Sequence, residues 1–198
     1  MHNDQGRLVG YNTDGDGFMG PLVAAGFDVR HKQVVVLGAG GAARSVVSRL
    51  VREDATVLLV IRTRERAERL AAHARESVPA ARIDCLDLDD EAGMVDSLVG
   101  AELLVNTTSV GMHPHADALP PIPPSALHSK LFVYDLVYNP ADTPLLRAAR
   151  AAGSRTLGGL SMLVYQGAAA FKVWTGVAPP VDVMREAAEA GLRFERPR

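Results

Sequence analysis

The sequence predicts a doubly wound, parallel α/β sheet with helices packed on both of its faces. Three observations lead to this fold class. Short apolar runs rich in β-branched residues alternate with longer segments, rich in Ala, Arg, Glu and Leu, whose apolar residues recur at helical spacing. A glycine-rich turn joins the first of these runs to the next helical segment. The length of 198 residues suits one large domain, so we expect a single domain over 1–198.

The apolar runs are predicted to be parallel strands because they are apolar on both faces, as strands covered by helices must be. The predicted strands are Gln33–Leu37, Thr56–Val60, Ile83–Leu86, Glu102–Val105 and Leu131–Tyr134. The predicted helices are Ala42–Arg52, Arg64–Glu76, Asp89–Leu98, Thr143–Ala152, Leu160–Trp174 and Pro180–Ala190. Five prolines between His113 and Pro124 predict a loop.

The composition argues against several functional classes. A net charge of −2 gives no general attraction to nucleic acid or to an anionic membrane. The longest uncharged stretch, Thr156–Phe171, is shorter than the roughly 20 apolar residues of a membrane span. No apolar run near the start resembles a signal peptide. Cys85 is the only cysteine, which excludes an intrachain disulfide, and we expect a cytoplasmic protein. The sequence predicts no metal site.

The turn between the first predicted strand and the next helix is typical of a dinucleotide-binding, Rossmann-type unit. Its glycines allow a tight turn and a close approach of the backbone to a pyrophosphate. The free N–H groups and the positive end of the helix would then face the anion. The candidate cofactor-binding residues in this turn are Gly38, Ala39, Gly40, Gly41 and Ala42.

The end of the second predicted strand favours NADP as the cofactor. NAD-specific sites usually carry an acidic residue there, about 20 residues after the glycine turn, to hold the ribose hydroxyls. This chain has Arg62 and Arg66 in that region and no acid at the end of the strand. Arginines can grip a 2′-phosphate through charge-assisted hydrogen bonds. The alternative is an arginine-rich, solvated start of a helix.

Five segments in this order resemble the shikimate dehydrogenase family over nearly the whole chain. They match the family's GxNTDxxG segment, phosphate turn, NxTSxGM segment, DxxYxPxxTPLL segment and GxxMLxxQ helix. The matching segments are Gly10–Gly17, Gly38–Ala42, Asn106–Met112, Asp135–Leu146 and Gly159–Gly167. The resemblance implies reversible hydride transfer between NADP and the hydroxyl-bearing C3 of shikimate, which gives 3-dehydroshikimate.

The resemblance also implies roles for single residues in substrate binding. Asp14 would contact the substrate hydroxyls and belong to a catalytic lysine–aspartate pair, while Tyr138 and Gln166 would be further substrate contacts. A carboxylate beside a lysine eases the movement of the hydroxyl proton as hydride leaves. Two alternatives need no substrate: Asp14 could be only the N-cap of the following helix, and Gln166 a satisfied polar residue on a packed helix.

The remaining implied contacts concern the cofactor. Leu136 and Gly159 would border the nicotinamide, and Arg62, Thr63 and Arg66 would hold the 2′-phosphate. Thr107 follows the fourth predicted strand, where ligands of open α/β sheets lie, although it could serve only to form a turn.

Two departures from the family pattern limit these expectations. Ile61 stands where the family commonly has an asparagine that helps to hold the adenosine phosphate, so NADP binding should weaken. The family's N-terminal substrate domain, with its catalytic lysine, precedes the GxNTD segment, yet only nine residues precede Gly10. The three lysines, Lys32, Lys130 and Lys172, match no catalytic motif and are interpreted as solvated charges. We expect a truncated chain that binds nucleotide but turns over shikimate poorly, since a lost acid–base group costs about 10²–10⁴-fold.

The ends of the chain are predicted to face that missing domain. Helices within residues 1–27 and 160–198 would pack toward it and expose apolar side chains in its absence. The side chains expected to be exposed are Phe18, Leu22, Val23, Val183 and Met184. Large exposed apolar patches tend to find a partner, so we expect a homo-oligomer or a companion chain.

Two other functions remain open. The chain could act on quinate or another cyclohexane-carboxylate with NAD, which Ile61 favours. It could also be a non-catalytic module that senses a dinucleotide, which the missing lysine favours. Retained substrate contacts argue against the second alternative, because a binding module has no need of them.

Overall fold

The computed structural model describes residues 2–4 and 6–194. Two short strands, β1 (His2–Asp4) and β2 (Arg7–Val9), pair antiparallel at the start of the chain. A parallel sheet of six strands forms the centre of the molecule. Its strands are β3 (Gln33–Leu37), β4 (Thr56–Ile61), β5 (Arg82–Asp87), β6 (Leu103–Asn106), β7 (Phe132–Asp135) and β8 (Arg155–Gly158).

The strand order in this sheet is β5-β4-β3-β6-β7-β8, with every pair parallel. The chain builds outward from β3 through β4 to β5 and then returns to β6 on the other side of β3. Neighbouring loops therefore diverge at the carboxyl ends of β3 and β6, and ligands of open α/β sheets bind in such a crevice. The predicted fold class is confirmed.

The described residues form seven α-helices, of which six cover the two faces of the sheet and the seventh packs against the sixth. They are α1 (Asp14–Ala24), α2 (Gly41–Arg52), α3 (Arg64–Ser77), α4 (Glu91–Gly100), α5 (Pro144–Ala151), α6 (Gly159–Thr175) and α7 (Val181–Phe194). One face is buried beneath side chains of α1, α2, α3 and α6, and the other beneath α4 and α5. The proline-rich segment is a loop, as predicted, and buried Ile122 packs it onto the second face.

Two parts of the fold differ from the sequence prediction. The sixth strand, β8, was not predicted because it lies at the edge of the sheet and is mostly half-buried, so it has no continuous apolar run. Among the described residues of 1–27 the structure has one helix, α1, and the β1–β2 pair precedes it.

The predicted exposure of Phe18 and Leu22 is wrong. Both side chains are fully buried, because α1 lies over the sheet. The Phe18 ring stacks on the Tyr134 ring, with 5.3 Å between the ring centroids. The exposure predicted for Val23 and Val183 is found, at 67% and 62%, while Met184 is half-buried. None of the helices in the described part of the chain is long and apolar enough to cross a membrane.

Candidate functional site

The glycine turn meets the loop after β6 at the point where the strand order reverses. Gly38 has a φ angle of +99°, which favours glycine. A Cβ atom at this position would lie 2.9 Å from Oγ1 of Thr107 and 3.0 Å from Cγ2 of Thr108. Thr107 is itself fixed, since its hydroxyl donates to the Leu37 carbonyl at 2.5 Å. The two loops expected to hold the cofactor therefore touch.

The geometry of the turn suits a pyrophosphate. No described atom lies within 4 Å of the position of a Cβ atom at Gly40 or Gly41, so the backbone there borders open space. Gly40 is the N-cap of α2 and has no side chain that could occupy the free N–H groups of the helix. The first turn of α2 contains no acidic residue that would repel an anion. The first N–H groups of a helix have no acceptor within it and attract anions. These residues fit the phosphate groups of a dinucleotide.

The candidate 2′-phosphate residues are all exposed: Arg62 and Thr63 lie between β4 and α3, and Arg66 lies in the first turn of α3. Within the described residues, neither Arg62 nor Arg66 forms an ion pair or a side-chain hydrogen bond. Arg64, between them, is bound to Glu68 at 2.8 Å. Thr63 is the N-cap of α3 and makes no side-chain cap hydrogen bond. Two guanidinium groups and one hydroxyl are thus available to a phosphate.

Ile61 contributes no polar group to this region. Its side chain is 9% exposed and packs in the core cluster beneath α2 and α3. It therefore offers no hydrogen-bonding group to a phosphate.

Leu136 and Gly159, expected to border the nicotinamide, are in direct contact. A Cβ atom on Gly159 would overlap the Leu136 carbonyl, so only glycine allows this approach. The Gly159 N–H group donates to the Val137 carbonyl at 3.2 Å. The start of α6 is thereby held against the loop that follows β7.

A buried carboxylate that the sequence analysis did not single out lies beneath this contact. Asp135, the last residue of β7, has no exposed surface. It accepts hydrogen bonds from Asn106 Nδ2 at 2.9 Å, the Val137 N–H group at 3.1 Å and Thr143 Oγ1 at 2.6 Å. Burial raises the pKa of the Asp135 carboxyl, and these three donors offset part of the rise. The sequence could have indicated this network, because two buried strands, β6 and β7, each end in a polar residue.

The candidate catalytic residue Asp14 is the first residue of α1, so the alternative that it is the N-cap is wrong. Thr13 occupies the N-cap position, and the Asp14 N–H group donates to Asn12 Oδ1 at 2.9 Å. The half-buried Asp14 carboxylate faces α2, where Ser45 Oγ lies 3.5 Å from Oδ2. Asn12 Nδ2 donates to the same Ser45 hydroxyl at 3.0 Å. The helix that follows the phosphate turn thus also supports Asp14.

Gln166 lies against Gly17 because α1 packs tightly on α6. A Cβ atom on Gly17 would lie 2.5 Å from Cβ of Gln166 and 2.8 Å from its backbone nitrogen. Gly17 is three residues after Asp14, or about one helical turn. Gln166 Nε2 donates to the Leu163 carbonyl at 2.9 Å, as the alternative of a satisfied polar residue requires.

Tyr138 lies apart from this pair, on the loop after β7, and is 40% exposed. It lines a cleft of about 420 Å³ together with Met112, Leu160 and residues of α7. Gln166 therefore packs against Gly17 of α1, about one helical turn from Asp14, while Tyr138 lies on the loop after β7 that contacts Gly159.

The three lysines lie away from Asp14. Lys32 and Lys130 precede β3 and β7 and so belong to the opposite edge of the sheet. Lys32 is not simply solvated, because its ammonium group pairs with Glu102 at 2.5 Å. Lys172 is exposed on α6, six residues after Gln166, which is about 9 Å along the helix.

Comparison with known proteins gives consistent matches. The sequence profile of the family described as Shikimate / quinate 5-dehydrogenase matches residues 22–110, and that of the Shikimate 5'-dehydrogenase C-terminal domain matches residues 159–189. A shikimate dehydrogenase (NADP(+)) of Methanosarcina mazei is 44% identical over 182 residues, which are 92% of this chain and 64% of that protein.

Solved structures agree with the sequence matches. Shikimate 5-dehydrogenase of Listeria monocytogenes, in complex with shikimate and NAD, superposes with a TM-score of 0.86 at 32% identity. That match covers 93% of this chain and 65% of the other. Shikimate 5-dehydrogenase of Thermus thermophilus, in complex with NADP(H) and shikimate, gives 0.80 at 36% identity, covering 94% and 65%. The chain thus spans about two thirds of the length of the relatives that it matches.

Proposed function

Because the chain belongs to the shikimate dehydrogenase family, we propose that it binds NADP and forms the nucleotide half of a shikimate dehydrogenase site. The observation that carries the proposal is the convergence at one edge of the sheet. The open glycine turn and the contact between Leu136 and Gly159 lie there, and Asp14 lies beside Ser45 on the helix that follows the turn. Gln166 packs against Gly17, about one helical turn from Asp14. The reaction is reversible hydride transfer between NADP and C3 of shikimate.

The cofactor would lie across the crevice between β3 and β6. The backbone of Gly38–Ala42 would bind the pyrophosphate, with Thr107 packed against the turn. Arg62, Thr63 and Arg66 would hold the 2′-phosphate, while Leu136 and Gly159 would border the nicotinamide ring. NADP supplies the acceptor for the hydride that leaves C3 of shikimate.

The substrate would contact Asp14 and Gln166 from one side and Tyr138 from the other. The Asp14 carboxylate can accept a hydrogen bond from a substrate hydroxyl and so favours departure of its proton as hydride leaves. An amide such as Gln166 can donate to one hydroxyl and accept from another, and a phenol can hold a carboxylate. The Ser45 hydroxyl beside Asp14 would orient the carboxylate.

The 198 residues alone should bind the cofactor better than they catalyse. None of the three lysines is placed to share a proton with Asp14, and loss of such a group costs about 10²–10⁴-fold in rate. We therefore expect NADPH binding together with very slow oxidation of shikimate.

The test combines a binding and a rate measurement on the 198-residue chain. NADPH is titrated into the protein while nucleotide fluorescence is recorded, and NADPH formation from shikimate and NADP is then followed by absorbance. Binding with slow or undetectable turnover is expected. A rate typical of ordinary dehydrogenases would refute the argument from the lysines, and absence of nucleotide binding would refute the proposed function.

Use of NAD with quinate is a second candidate, favoured by the apolar Ile61 and by a family description that covers both substrates. The same titration with NADH, followed by turnover assays with quinate, distinguishes the two. Tighter binding of NADH than of NADPH would support this candidate.

We also propose that the chain self-associates or binds a companion chain. Val23, Trp174, Val177 and Val183 are each 59–67% exposed, and exposed apolar surface favours association. Light scattering at micromolar concentration should give a mass above that of one chain, or a mass that rises when a partner is added. A strictly monomeric profile under both conditions would contradict the proposal.

A further inference from the structure

We infer that Asp135 is a positioning residue for the nicotinamide: its carboxylate ties the loop after β6 to the loop after β7. The inference rests on the proposed function for the identity of the ligand. Asp135 has been given no role above. It is buried beneath the site and does not border the cleft, so it can act only through the residues that it holds.

On the β6 side, the tie runs through Asn106. Asn106 donates from Nδ2 to the Asp135 carboxylate at 2.9 Å, which orients its own amide oxygen. That oxygen accepts from the Thr108 N–H group at 3.1 Å and from the Thr108 hydroxyl at 2.7 Å. Thr108 in turn packs beside the position of Gly38 in the phosphate turn. The orientation of Asn106 therefore shapes the loop next to the cofactor.

On the β7 side, the same carboxylate holds the backbone. Oδ1 accepts from the Val137 N–H group at 3.1 Å, so Leu136 is fixed between two anchored residues. Oδ2 accepts from the Thr143 hydroxyl at 2.6 Å, and that hydroxyl also caps α5 by accepting from the Leu146 N–H group at 3.3 Å. Through Leu136 and Val137 the tie reaches Gly159, which contacts both.

The arrangement requires a carboxylate and not merely a polar group of that size. Three donors converge on Asp135, and two ionised oxygens accept all of them. An asparagine would offer one acceptor oxygen and would point an NH₂ group at a former donor. A buried donor left without an acceptor is costly, so the two loops would rearrange.

The experiment compares two ligands on Asp135→Asn and on the wild-type chain. The ligands are NADPH and 2′-phospho-ADP-ribose, which keeps the phosphates but lacks the nicotinamide. We expect the variant to bind NADPH about 10-fold more weakly, because the two loops would hold the binding-competent arrangement in only about a tenth of the molecules. Its affinity for the fragment should stay within about 3-fold, and the nicotinamide emission of bound NADPH should move toward that of free NADPH.

Ser154→Ala is the matched control. Ser154 is also buried, and its hydroxyl donates to the His128 carbonyl at 2.8 Å, but it precedes β8 at the opposite edge of the sheet. This variant should bind both ligands as the wild type does, even if its midpoint of unfolding falls. If Asp135→Asn does not fold, Thr143→Val breaks the tie on the β7 side, away from the phosphate turn, and should give the same selective loss of NADPH.

The outcomes separate the inference from the proposed function. Equal losses for both ligands, or no loss for either with unchanged emission, would overturn the positioning role of Asp135. Failure of the wild-type chain to bind either nucleotide would instead overturn the proposed function.

Discussion

Replacement of Arg62 and Arg66 together by glutamine should lower the affinity of the chain for NADPH by about 100-fold or more. Each guanidinium group would contribute a charge-assisted hydrogen bond worth about 1.5–3 kcal/mol, and about 1.4 kcal/mol corresponds to a tenfold change in affinity. Neither arginine is engaged by another described residue, and the buried Ile61 side chain offers no substitute. Affinity for NADH, which lacks the 2′-phosphate, should change little.

Arg64→Gln provides the control for this experiment. Arg64 lies between the two arginines, is equally exposed, and is paired with Glu68. Its replacement removes one positive charge from the same surface, half of what the double substitution removes. An effect on NADPH half as large, on a logarithmic scale, would therefore indicate only long-range attraction. Both nucleotides are titrated at one fixed ionic strength, because exposed charges are screened by salt. Equal weakening of NADPH and NADH by the double substitution would show that these arginines do not bind the 2′-phosphate.

Gly17→Ala should destabilise the chain by about 3 kcal/mol, because overpacking of a tight contact typically costs about 1–3 kcal/mol or more. The added Cβ would lie 2.5 Å from Cβ of Gln166 and 2.8 Å from its backbone nitrogen, so α1 and α6 would have to separate. Backbone cannot yield as a flexible side chain does. We expect a lower unfolding free energy in denaturant titrations.

Gly15→Ala tests the same substitution on the same helix without the clash. A Cβ atom there would lie 3.5 Å from Cβ of Arg49, an ordinary contact. Alanine favours a helix over glycine by about 1 kcal/mol, so this variant should be as stable as the wild type or more so. If both variants had wild-type stability, the close approach of α1 and α6 at Gly17 would be contradicted.

The local pattern of residues was sufficient to predict the central strands of the sheet and the phosphate turn. A strand buried on both faces needs an uninterrupted apolar run, as in Gln33–Leu37, and this signal lies within a few residues. The turn after it depends on glycines at set positions, which are equally visible in the sequence. The sequence does not predict β8, because this edge strand is only partly covered and its sequence, Arg-Thr-Leu-Gly, contains no uninterrupted apolar run.

The sequence by itself thus determined the fold class, the phosphate turn and the family resemblance, because each is written in neighbouring residues. Only the tertiary structure decided which surfaces are covered and which side chains meet. It buried Phe18 against Tyr134, brought Gly17 against Gln166, and joined Asn106, Asp135 and Thr143 into one network. Asn106 and Asp135 are 29 positions apart, and Gly17 and Gln166 are 149 apart, so no local pattern contains these contacts. Burial likewise arises only when the layers of the fold pack together.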